Sequence, residues 1–200
     1  MELIPPFSYG FGIEDLDTDL SELDKIDSWT QGSTAGEFKQ NRNSRLLEQY
    51  PKVRDKLLER FIDFNQNYLH INSDFRISTS WSIKLKTGDA IHYHRHRNSF
   101  YSGVLYYGTY NEEDIASLCF VNPIGAQLDF YLNDGGDTSP LLDNFSVPPA
   151  HNRLVLFPSC IEHWMPAYQG KEDRVSLSFN IVPIGEYGNG DSKINTEWLI

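Results

Sequence analysis

Three histidines, His92, His94 and His96, fall within five residues in the stretch IHYHRHRNS. In an extended strand, residues two apart project to one face at steps of about 6–7 Å. His94 with His96, or in a shifted register His92 with His94, can therefore converge on a single cation, and imidazole suits iron, zinc or nickel. A strand alone cannot close a coordination sphere, so a further ligand must come from elsewhere. His163, in LVLFPSCIEHWMP, lies six residues past Phe157, at a strand end or in the loop beyond, where a site at a barrel mouth would sit. The plainer reading is a set of ordinary hydrogen-bonded histidines on a surface strand. Eleven residues after His163 comes Arg174-Val175-Ser176, with Arg174 and Ser176 on one face of a strand. Inside a barrel an arginine needs an anion, because an unpaired buried guanidinium is very costly. Its fork matches a carboxylate, and the Ser176 hydroxyl is a second donor. At the rim it would pair with one of the 28 acidic side chains instead.

The elements that must position these groups are legible in the periodicity. Leu46, Tyr50, Val53, Leu57, Phe61 and Phe64 recur at helical steps, and Pro51 falls where proline is tolerated, in a first turn. A regular helix is predicted to begin near Tyr50 and to back one face of a sheet. Leu16, Leu20, Leu23 and Ile26 predict a shorter amphipathic helix within Glu14–Asp27, preceded by a Pro- and Gly-bearing extended arm. From Phe75 the period becomes two: Phe75, Ile77, Thr79, Trp81, Ile83 and Leu85 predict one strand face. Gly88-Asp89 turns the chain. Further strands are predicted within 100–109, 117–121, 127–132, 144–147, 153–157 and 174–182, separated by turn clusters. Many short, aromatic-rich strands at this spacing mean a sandwich or barrel. Residues 1–200 form one domain in this reading: 1–72 as helical and extended support, 73–183 as the β core and 184–200 as a tail whose Trp198, Leu199 and Ile200 can dock back. The segment Asn133–Asp137 is either a lid or a surface turn.

The 200-residue chain carries 17 Lys and Arg against 28 Asp and Glu, a formal charge of −11. Such a balance argues against nucleic acid or an anionic membrane as partner. No run of eighteen apolar residues predicts a membrane span. The start lacks the basic and apolar regions of a signal peptide. Two cysteines, Cys119 and Cys160, without a CxxC, fit free thiols in a reducing compartment and a cytoplasmic location, a single disulfide between them being the alternative.

In order, the pieces are HxH, an apolar strand, more strands, a single His and Arg-x-Ser. Together they resemble the 2-oxoglutarate/Fe(II)-dependent oxygenase superfamily, whose double-stranded β-helix core carries HxD…H and a downstream basic residue. The chain is more closely similar to the oxygenases of this kind found in tailed phages and bacteria, with signatures like HxHxNSxxSGVxYY, FPSxxxHxxxP and RxSxSFN. The matching residues are His94 to Ser99, Ser102 to Tyr107, Phe157-Pro158-Ser159 with His163 and Pro166, and Arg174 to Asn180. The resemblance spans Trp81 to Val182. It implies a mainly β fold with flanking helices (α+β), a jelly-roll or cupin-like double-stranded β-helix core packed against one long helix. It also implies Fe(II), 2-oxoglutarate as cosubstrate and O2, with hydroxylation of a small molecule or protein side chain and succinate and CO2 as co-products. By the same resemblance His94 and His163 are metal ligands. Arg174, assisted by Ser176, holds the far carboxylate of 2-oxoglutarate. Tyr107 stands where related enzymes place a tyrosine against that carboxylate, or else is a core aromatic. The departure is His96, which occupies the position of the usual carboxylate. It can serve as a third histidine ligand, or Asp129 or Glu162 can complete a two-histidine site. Three histidines would also suit zinc or nickel, so a cupin-like metal-binding module without oxygenase activity stands as an alternative. A jelly-roll structural or binding protein is another.

Overall fold

The computed structural model describes residues 9–32, 36–41, 43–110, 116–124 and 143–199. In chain order the strands are β1 (Gly12–Asp15), β2 (Trp29–Gln31), β3 (Gly36–Glu37) and β4 (Lys39–Asn41). The helix α1 (Pro51–Phe64) follows, then β5 (Asp74–Leu85), β6 (Ala90–His94), β7 (Tyr101–Leu105), β8 (Leu118–Val121) and β9 (Asn144–Val147). The chain continues through β10 (Arg153–Pro158), β11 (His163–Met165), β12 (Arg174–Ile184), β13 (Glu186–Tyr187) and β14 (Ile194–Asn195). The major sheet has the order β1-β10-β7-β12-β5-β4-β2 and the minor sheet the order β3-β6-β11-β8-β9. Pairing is antiparallel throughout both. Two facing antiparallel sheets joined by crossing connections make the expected jelly-roll core, with the long helix outside it.

Pro51 occupies the first turn of α1, where its missing N–H costs nothing. Val53, Leu57 and Phe61 are buried and pack with Leu105, Leu177, Phe179 and Ile181 on the outer face of the major sheet. The interior between the sheets is a second apolar region: Val104, Tyr106, Phe120, Val155 and Phe157 at one end, and Ile83, Leu85, Met165 and Tyr168 at the other. Gly103, on the helix side of β7, is required by close approach. A Cβ there would lie 2.2 Å from Cζ of the fully buried Phe179.

Two expectations change in detail. Leu16, Leu20, Leu23 and Ile26 are all buried, but only Ser21–Lys25 is helical, as a 3-10 turn. The predicted single face of β5 is split by a register shift, since Asn180 pairs with Thr79 while Ile181 pairs with Ile77. Phe75 and Ile77 therefore join the helix-side core, whereas Trp81, Ile83 and Leu85 face the interior. The tail forms the β13–β14 hairpin. The predicted strand within 127–132, the segment Asn133–Asp137, Asp129 and the side chains of Trp198, Leu199 and Ile200 lie outside the described residues.

Candidate metal centre and anion cradle

The strands β6 and β11 pair so that His94 stands directly opposite His163. Just past the end of β6 the His96 amide donates to the carbonyl of Ser159 at 2.9 Å, holding this stretch against the turn after β10. The three rings are thereby brought together, with centroids 4.3 Å apart for His94 and His163, 5.3 Å for His94 and His96, and 5.1 Å for His96 and His163. One ligand atom from each lies within 4.8 Å of the others. His92 contributes no ring to this group; its carbonyl accepts from His94 Nδ1 at 2.8 Å. Among the described residues no carboxylate joins the three, Glu162 included.

All three imidazoles use Nδ1 for a hydrogen bond. His94 Nδ1 meets the His92 carbonyl and His163 Nδ1 meets the Ile161 carbonyl at 3.0 Å. A carbonyl only accepts, so both Nδ1 atoms carry the proton and both Nε2 atoms keep a lone pair. His96 Nδ1 lies 2.8 Å from Asn180 Oδ1 and 2.9 Å from Ser102 Oγ. Burial, with the neighbouring His94 adding to it, pushes the His163 imidazole down to about 3; burial likewise pushes His96 down to about 4. The His94 imidazole is also lowered, again chiefly by burial. Three neutral imidazoles with free Nε2 atoms and their backs hydrogen-bonded are the donor set that a divalent transition metal requires.

Along β12 the even-numbered residues Arg174, Ser176, Ser178 and Asn180 face the interior. They pair across to Leu85, Ile83, Trp81 and Thr79 of β5. Asn180 is at the histidine end and Arg174 at the other. Arg174 is only 2% exposed. Its Nη1 donates to the Ala116 carbonyl and its Nη2 to the Tyr106 hydroxyl at 3.2 Å, while Nε has no partner among the described residues. Among the described residues it forms no ion pair. Ser176 is buried beside it, and its hydroxyl makes no hydrogen bond among those residues. A buried guanidinium without a carboxylate is a standing demand for an anion.

Tyr107 lies elsewhere. Strand alternation turns it to the helix side, where its hydroxyl meets Ser82 Oγ at 2.6 Å and burial pushes its phenol up to about 12. The tyrosine against Arg174 is Tyr106, one residue earlier and on the opposite face. Ser102, Ser159 and Asn180 were present in the sequence motifs without a role. The structure gathers them behind His96, a grouping that no spacing along the chain reveals.

The comparisons agree with this geometry. A family model described as "Putative 2OG-Fe(II) oxygenase" matches residues 79–180, about half of the chain. The chain belongs to this family of 2-oxoglutarate- and Fe(II)-dependent oxygenases. No curated protein matches it significantly in sequence. Among solved structures it is similar to HygX from Streptomyces hygroscopicus with nickel and 2-oxoglutarate bound, with a TM-score of 0.59 and 15% identity over 88% of this chain and 83% of that one. A Pseudomonas putida prolyl-4-hydroxylase gives 0.56 and 20% identity over 89% and 95%. The non-heme alpha-ketoglutarate-dependent epimerase SnoN from nogalamycin biosynthesis gives 0.61 and 13% identity over 90% and 79%. At these identities the likeness establishes the shared jelly-roll fold.

Proposed function

We propose that the three-histidine centre holds Fe(II), that Arg174 with Ser176 receives the far carboxylate of 2-oxoglutarate, and that the enzyme hydroxylates a small molecule or a protein side chain. The observation that carries this reading is the sharing of one interior by the three Nε2 donors and a buried arginine that has no acid partner among the described residues. Bound Fe(II) supplies the family's chemistry, in which 2-oxoglutarate is oxidised to succinate and CO2 while O2 gives one oxygen atom to succinate and the other to the substrate. The chain's own contribution is positional. His94, His96 and His163 would hold the metal through their Nε2 atoms. The guanidinium of Arg174 and the hydroxyl of Ser176 orient the dicarboxylate by charge-assisted hydrogen bonds. The apolar walls from Ile83, Leu85 and Met165 keep that interaction in a low dielectric.

A cytoplasmic location, in the host if the chain is phage-encoded, is supported by two free cysteines. No described helix is long and apolar enough to cross a membrane.

The test is anaerobic titration of the metal-free protein with Fe(II) and then 2-oxoglutarate. A visible metal-to-ligand charge-transfer band should develop at one equivalent of each. On admitting O2, 2-oxoglutarate should be converted to succinate, slowly in the absence of substrate. Absence of the band in a protein that binds iron stoichiometrically refutes the cosubstrate assignment. The lack of a carboxylate beside the three histidines among the described residues favours one rival, a zinc-holding module. Tightly bound zinc with no affinity for 2-oxoglutarate would establish that rival.

A further inference from the structure

The three imidazoles are not held in the same way. Backbone carbonyls fix the tautomers of His94 and His163, whereas His96 depends on a side chain. Asn180 Nδ2 donates to Thr79 Oγ1 at 2.8 Å, which turns Oδ1 toward the metal centre. Oδ1 then receives the Ser102 hydroxyl at 2.8 Å and faces His96 Nδ1 at 2.8 Å. Ser102 Oγ in turn lies 2.8 Å from the hydroxyl of Ser159, whose carbonyl accepts the His96 amide. Ser102 and Ser159 are fully buried. An amide oxygen only accepts, so the geometry places the His96 proton on Nδ1 and the lone pair on Nε2.

We propose that Asn180 is the positioning residue that makes His96 an Nε2 metal ligand, with Thr79 orienting its amide and Ser102 and Ser159 holding its oxygen. The inference rests on the reading that the three histidines bind a metal. A carboxylate ligand needs no such device, since either oxygen can coordinate and neither carries a proton at neutral pH. An imidazole does need one, because in water a neutral histidine favours the opposite tautomer, with the proton on Nε2. Substituting histidine for the usual carboxylate is productive only if an acceptor stands behind the ring. Asn180, two residues beyond the interior-facing Ser178 on the same strand, supplies it.

The experiment has two readouts independent of turnover. Long-range proton–nitrogen NMR spectra of the metal-free protein report the tautomer of each histidine, and Ni(II) titration against a chromophoric chelator reports affinity. Wild-type His96 should carry its proton on Nδ1. Asn180→Ala should move that proton toward Nε2 and weaken Ni(II) binding by about 10- to 100-fold, the range for loss of a group supporting a ligand. Asn180→Asp, whose carboxylate likewise only accepts, should keep the Nδ1 proton and hold affinity within a few-fold of wild type. A generally loosened fold would not be rescued in that way. A wild-type His96 protonated on Nε2 overturns the proposal whatever the variants do. An Asn180→Ala protein with unchanged tautomer and affinity overturns it too. Wild-type protein that takes up no Ni(II) instead refutes the metal reading, so the two failures are distinguishable.

Discussion

Arg174→Met separates a cosubstrate clamp from a structural arginine, because the two roles predict opposite changes. The guanidinium is 2% exposed, with Nη1 on the Ala116 carbonyl, Nη2 on the Tyr106 hydroxyl and Nε unpartnered among the described residues. An arriving carboxylate would meet the unpartnered Nε side of the fork and remove the standing cost of the unpaired charge. Losing one partner of such a buried, hydrogen-bonded charge pair costs about 3–5 kcal/mol. That corresponds to a rise in the 2-oxoglutarate Kd of about a hundred-fold to a few thousand-fold. Methionine replaces the aliphatic stem and leaves no charge behind. The cosubstrate-free protein thus loses two hydrogen bonds from a charged donor at about 1.5–3 kcal/mol each but is relieved of a buried cation that has no acid partner among the described residues. These terms offset, so the melting temperature of the cosubstrate-free protein should be unchanged or slightly higher. The assay is isothermal titration of 2-oxoglutarate into Ni(II)-loaded wild-type and variant protein, with thermal unfolding of each without ligand. A variant that melts well below wild type yet binds 2-oxoglutarate with an unchanged Kd would refute the reasoning and assign Arg174 to the fold.

Gly103→Ala should destabilise by about 1–3 kcal/mol through overpacking, since its Cβ would lie 2.2 Å from Phe179 Cζ. Thermal unfolding measures this, and Phe179→Leu in the same chain should recover part of the loss; full stability in the single variant would show that the sheet yields there. His96→Asp supplies a ligand without a tautomer. Asn180→Ala should then cost Ni(II) affinity far less than in the wild-type background, and an equal loss in both backgrounds would count against the coupling of Asn180 to His96. Asp15 accepts Arg153 Nε at 2.7 Å and Nη2 at 2.8 Å, which holds its carboxyl below the usual range. A depressed folded-state pKa gives stability that is present above about pH 4 and lost as pH falls through the folded value. Asp15→Asn should therefore lower the melting temperature slightly at neutral pH and not in strong acid, the effect being small because Asp15 is half exposed. A deficit that persists unchanged into strong acid would assign it to lost packing.

What was legible in the sequence was whatever a short window determines. Pro51 and the helical spacing of Val53, Leu57 and Phe61 marked α1, and the period of two marked β5. The histidine pair was legible because strand geometry alone aligns alternate residues. Parity was the weak point. One displaced residue near Ser78 moves Phe75 and Ile77 to the opposite face from Trp81, and a bulge leaves no composition signal. The same sensitivity separates Tyr107, which takes the core-aromatic alternative on the helix side, from Tyr106, its neighbour on the opposite face of the same chain segment. Leu16 to Ile26 shows a third limit: the spacing reported burial correctly, but it could not tell a 3-10 turn from a longer helix because both bury the same leucines.

The replacement of a carboxylate by His96 alters charge as well as geometry. A dicationic metal with two imidazoles and one carboxylate carries a net charge of about +1, whereas three neutral imidazoles leave about +2. With the Arg174 guanidinium on the far carboxylate counted in, the charge facing the 2-oxoglutarate dianion is about +3 with three histidines and about +2 with a carboxylate ligand, so the three-histidine centre attracts the cosubstrate more strongly in a low-dielectric interior and keeps about one uncompensated positive charge. The cost falls on the metal-free state, which must keep one buried and two half-buried imidazoles neutral and correctly protonated. The structure meets it without adding charge: two main-chain carbonyls, one amide and a pair of serine hydroxyls stand behind the rings. Ser102, Asn180 and Thr79 come from β7, β12 and β5, adjacent strands in the middle of the major sheet. Ser159 follows directly on β10, the next strand beyond β7. The support for the odd ligand thus lies in the most firmly paired part of the fold, while His94 and His163 lie on the minor sheet opposite. A metal bound between them would tie one sheet to the other.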